Sequence, residues 1–144
     1  MDEHTQLNQV LISLTRSLLQ YVGECFPWTA AKAAPKQESI RQLIARQKTH
    51  IARLTAYLDS RQVTVDFGTF PTNYTSLHYL ALDHLLTQLV DSEQKLIQEV
   101  EQSIQKCAGD ADAVAILEQA LADECQNLTV LQDLAHSPSA NSVA

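Results

Sequence analysis

Gln47, Glu93 and Glu124 each occupy a position that neighbouring Leu, Ile and Val residues mark as inward-facing. Glu93 has Leu89, Val90, Leu96 and Ile97 one turn away on either side. Glu124 follows Leu117 and Leu121 and precedes Leu128 and Leu131, and Gln47 lies between Leu43–Ile44 and Ile51–Leu54. Two of the three carry a polar residue three places on, as Gln47-x-x-His50 and Glu124-x-x-Asn127, and residues so spaced share a helix face. A carboxylate taken out of water must be paired, hydrogen-bonded or metal-bound. The expected product is a buried polar layer of Gln47, Glu93, Glu124 and Asn127, open to three readings. It could be a structural hydrogen-bond network in which the Gln47 amide meets Glu93 or Glu124, completed by His50 or a buried water. It could be a single-metal site, for zinc or manganese, with Glu93, Glu124 and His50 as ligands. Or a rotation of the helices could leave one or more of these residues at the surface. No catalytic residue is assigned. His78 and His84, which flank Asp83, read as solvated or capping residues, and neither a nucleophile elbow nor a phosphate-binding glycine loop is present.

The elements that must carry this layer follow from apolar spacing of three and four. A first helix is predicted over about Thr5–Cys25, through Leu7, Val10, Leu11, Leu14, Leu18, Tyr21 and Val22. A second runs from about Pro35 to Asp59, with Pro35 in its first turn. A third and longest spans about Thr75–Cys107, and a fourth follows Ala108-Gly109-Asp110 and continues to Ala135. Residues 1–136 read as one domain and 137–144 as a disordered tail.

Four such helices make an all-α four-helix bundle. The third and fourth are joined by a few residues and should be antiparallel neighbours. Between the second and third lie Ser60 to Tyr74, which at about 3.3 Å per residue could span about 50 Å, the length of a helix. Phe67, Phe70 and Tyr74 would then pack onto the helices; the alternative is a compact loop at one end. This order of elements, with Glu93, Gln47-x-x-His50 and Glu124-x-x-Asn127, resembles the ferritin-like di-iron carboxylate proteins over roughly residues 5 to 136. In that family the first and third helices each give one Glu and the second and fourth each give Glu-x-x-His. The resemblance implies a ferritin-like bundle with a long crossover and a degenerate di-iron site. Leu14 falls where the first Glu would stand, Gln47 replaces a carboxylate and Asn127 an imidazole.

Composition narrows the remaining classes. The 144 residues are 45% hydrophobic and 19% charged, with three Gly and four Pro, as in a helical globular domain. The formal charge of −7 and the lack of a basic stripe argue against nucleic acid and against a membrane surface. Cys25, Cys107 and Cys125 have no metal-type spacing and read as free thiols, and the acidic N-terminus is unlike a secretory signal, so a cytoplasmic protein is expected. The expected role is a non-enzymatic binding or scaffolding module with no cofactor. The alternative is an atypical metal-binding protein or oxidoreductase holding iron, zinc or manganese. A homodimer is expected through the wide apolar stripe of the third helix, Leu80 to Val90, along with a protein partner that the sequence does not name.

Overall fold

The computed structural model describes residues 3–25, 34–72, 74 and 82–136, and is all-helical: among these residues no strand forms. The helices are α1 (Glu3–Thr15), α2 (Leu18–Cys25), α3 (Ala34–Ser60), α4 (Leu82–Lys106) and α5 (Ala111–His136). No helix among the described residues is long and apolar enough to cross a membrane. The expected start of the third helix at Thr75, with His78 and Leu80, lies outside the described residues, as does the tail 137–144.

The core falls into two apolar clusters. One gathers Leu7, Val10 and Leu11 with Leu54 and Leu58, Val100, and Leu117. The other gathers Leu18, Leu19 and Val22 with Ile40 and Leu43, Leu85 and Leu89, and Leu131. The start of α1, the ends of α3 and α4 and the start of α5 therefore meet at one end. It follows that α1, α2 and α5 run one way, and α3 and α4 the other. Side by side, α4 lies against α5 and α1, and α3 against α1 and α5.

Because α3 and α4 are parallel, the chain between them must travel the length of the helices, and it does so along α1. Asn8 bonds both the amide and the carbonyl of Asp66 (3.0 and 3.1 Å), and Arg16 Nε donates to the carbonyls of Phe67 and Gly68 (3.0 Å each). Phe70 stands edge-on to Tyr21 at 5.1 Å between centroids and under the Arg16 guanidinium at 4.8 Å. Phe70 and Tyr74 pack as expected, whereas Phe67 stays 40% exposed. This strap leaves α3 through a Schellman turn, with Val63 N–H to the Leu58 carbonyl, Gln62 N–H to that of Asp59, and Gln62 at φ 58°. Gly68 sits at φ 67° so close to α1 that a Cβ there would be 2.8 Å from Ile12 Cγ2.

Two expectations change. The first helix is broken at Arg16–Ser17, giving α1 and α2, because Arg16 reaches for the strap and Ser17 caps a new helix, its hydroxyl accepting from Gln20 N–H (3.3 Å). The apolar stripe of α4 is spent inside: Leu85, Leu86 and Leu89 are buried and Val90 packs on the same cluster, so its described side chains offer no broad apolar face to a second copy.

Candidate functional site: a buried polar layer

Between the two apolar clusters every helix except α1 contributes polar side chains, and the residues flanking them are buried leucines and isoleucines. Ser17 follows Leu14 and precedes Leu18; Gln47 and His50 fall between Ile44 and Leu54. Glu93 lies between Leu89 and Leu96, and Glu124 and Asn127 between Leu117 and Leu131. Gln47, Glu124 and Asn127 are fully buried, and His50 and Glu93 each retain 2% exposure.

Gln47 is the hub. Its Oε1 accepts from the Ser17 hydroxyl (2.9 Å) and from Gln20 Nε2 (3.0 Å), while its Nε2 donates to Glu124 Oε2 (3.3 Å). Gln20 Nε2 also reaches the Ile44 carbonyl at 3.1 Å. The same Glu124 oxygen accepts from Asn127 Nδ2 (3.3 Å), and Asn127 Oδ1 takes a bond from Arg46 Nη1 (3.1 Å). The chain of bonds thus runs from α2 through α3 to α5 and out to a surface arginine on α3.

Glu93 enters from α4 and sets its carboxyl beside that of Glu124. Burial first, then the Glu124 carboxyl beside it, raises Glu93 far above the usual carboxylate range, so it carries a proton at neutral pH. One oxygen of each acid, Oε1 in both, receives nothing from any donor group of the protein, and a protonated Glu93 can supply the donor that the pair lacks. His50 is pulled down by burial, against the opposing pull of Glu124 and Asp123. Its Nε2 lies 3.3 Å from Asp123 Oδ2 without the alignment of a hydrogen bond.

Of the residues singled out in the sequence, the structure brings Gln47, Glu93, Glu124 and Asn127 into one network and turns His50 toward Asp123. His84 is exposed. Of the thiols, Cys107 is buried and Cys125 exposed, and neither forms a disulfide. Ser17 and Gln20 were missed. Their signal is Ser17-x-x-Gln20, the spacing of a capping box, set in what reads as an unbroken apolar stripe.

A di-iron centre does not fit these residues. Leu14 is buried at the first-helix position, Gln47 presents its amide nitrogen to Glu124, and Arg46 brings a cation to the position where the fourth-helix imidazole would bind. Two acids do not balance two metal ions. Among the described residues no three His, Cys, Asp or Glu side chains stand close enough to hold one ion. Compared with known proteins, the chain matches no family model, no curated protein and no solved structure.

Proposed function

We propose that this chain is a non-enzymatic four-helix bundle with ferritin-like connectivity, serving as a binding or scaffolding module in which the former place of a metal centre has become a structural clasp. The connectivity is supported by the strap along α1 and the parallel course of α3 and α4. The clasp is supported by one observation above all: the Gln47 amide uses both its oxygen and its nitrogen on protein partners, tying α2 and α3 to α5. A neutral hub filled in this way offers no ligand to a cation. The module acts through its outer surfaces, on a partner protein or on a second copy of itself.

A second reading, an atypical mononuclear site, draws on the buried atoms without donors: Glu93 Oε1, Glu124 Oε1 and His50 Nε2. Two carboxylates and an imidazole are the donor types for zinc, manganese or iron, but the three side chains would have to draw closer together and release a proton to share one ion. Elemental analysis of protein expressed with all three metals separates the readings. The clasp gives no stoichiometric metal. Bound metal at one per chain, lost in both Glu93→Ala and Glu124→Ala, would replace it with the metal site.

A further inference from the structure

From Val63 to Phe67, up to the left-handed Gly68, the strap runs without turn or bend, as a strand does, and pairs with no strand among the described residues. Asp66 turns both backbone groups to Asn8 on α1, and the Phe67 and Gly68 carbonyls are held by Arg16. The Val63 N–H is spent on Leu58. Four backbone groups remain without a hydrogen bond on the other edge: the Val63 carbonyl, both groups of Val65, and the Phe67 N–H. Alternate residues of a strand direct their backbone groups to the same edge, so these four face one way. That edge opens on a groove formed with Ala52, Thr55 and Ala56 of α3. Phe67 is beside it, the one large apolar side chain that is exposed among the described residues.

We propose that two copies of this chain pair through this edge, antiparallel about a two-fold axis at Val65. In that register Val65 of each copy gives its N–H to, and accepts at its carbonyl from, Val65 of the other, and each Phe67 N–H bonds the Val63 carbonyl opposite. These are the four free groups of the edge. A register centred on Thr64 or Asp66 would form only two such bonds and leave two of the free groups in each copy unpaired. One centred on Val63 or Phe67 would call on a group already bonded within the chain. The complementarity is therefore to another copy of the same segment, and the resulting contact is isologous. It also sets Phe67 against Val63 of the other copy, an aromatic and a β-branched side chain in a favoured cross-strand pair. A free edge of this kind is the form in which proteins add strands to one another.

A contact this short belongs with small, reversible interfaces under about 1,200 Å². Sedimentation of the full chain from about 10 to about 500 µM should show a monomer–dimer equilibrium. Val65→Pro removes an N–H that makes no bond within the chain, so it should weaken dimerisation at least about tenfold, some 1.4 kcal/mol; because the Val65 side chain packs on the first core cluster, the melting curve of dilute protein is its control. If that variant does alter the melting curve, Phe67→Lys decides in its place, since it sets a like charge at the interface from an exposed site. A monomer at every concentration overturns the proposal, and so does a dimer that persists in the deciding variant, for it must then use another surface.

Discussion

Glu93 on α4 and Glu124 on α5 set their carboxyls side by side across the seam of the two helices, and burial beside a second acid favours the protonated form of Glu93. In the unfolded chain a glutamate releases its proton near pH 4.3, whereas folded Glu93, raised by burial and by Glu124, retains it. The folded state then binds more protons than the unfolded state. Its stability is fully present below the unfolded value and falls as pH rises toward the folded one, by about 1.4 kcal/mol per pH unit for one proton. Glu93→Gln keeps a donor toward Glu124 without titrating. Urea unfolding between about pH 6 and pH 9 should show a declining wild-type stability and a flatter profile for the variant. Parallel profiles would mean that Glu93 does not hold its proton in the folded state.

His50 works in the opposite sense. Burial lowers it and outweighs the attraction of Glu124 and Asp123, with Arg53 and Arg46 adding to the depression. The unfolded chain takes up a proton near pH 6.5 and folded His50 resists it. Its contribution is therefore present above pH 6.5 and is lost as pH falls through the lower folded value. An NMR titration of the His50 ring should give a midpoint below 6.5. A midpoint above it would mean that Asp123 holds a charged imidazole.

Removing the hub should cost more than removing any spoke. Gln47→Leu strands the Ser17 hydroxyl and removes one bond to Glu124 in a dry layer, while Gln20 keeps the Ile44 carbonyl; at about 1–3 kcal/mol per stranded group this should cost about 2–6 kcal/mol and lower Tm by many degrees. The double change Gln20→Leu with Gln47→Leu removes a donor together with its acceptor. It should destabilise less than the sum of the single changes, as a double-mutant cycle by denaturant unfolding would show.

The strap offers a contrast between neighbouring aromatics. Phe70→Ala loses the Tyr21 edge contact and the Arg16 stack and should cost about 2–3 kcal/mol. Phe67→Ala, from a 40% exposed site, should cost under about 0.5 kcal/mol in dilute protein. Gly68→Ala should cost about 1–3 kcal/mol, from the left-handed backbone and the Ile12 contact together. Thermal melts of the three variants test the ranking, and equal effects for Phe67 and Phe70 would contradict the strap's placement.

The burial of Gln47, Glu93 and Glu124 follows from apolar neighbours at three and four residues, a period legible in the sequence. The helix that the sequence shows as continuous is not. Leu14 and Leu18 keep the spacing across the break, so periodicity passes over it, while the cause is tertiary: Arg16 is drawn to carbonyls some fifty residues away and Ser17 to Gln47. Gln20 escaped notice for a related reason. A glutamine at the seam reads as surface until a second helix supplies its acceptors, here Gln47 Oε1 and the Ile44 carbonyl. The direction of the strap was legible only as reach. Its seat on α1 depends on Asn8 and Arg16, which the spacing marks merely as polar.

Because the strap must return along α1 before α4 can dock, its anchoring contacts join residues 51 to 58 positions apart, and the Gln47–Glu124 bond joins residues 77 apart. Helical proteins that fold in microseconds do so by closing short loops first. Here the second half of the chain can add only after a long loop has closed, at an entropic cost that no local helix propensity offsets. Refolding should accordingly be slow for an all-helical chain, and the strap anchors Asn8 and Arg16 should govern the rate of reaching the native state more than its final stability.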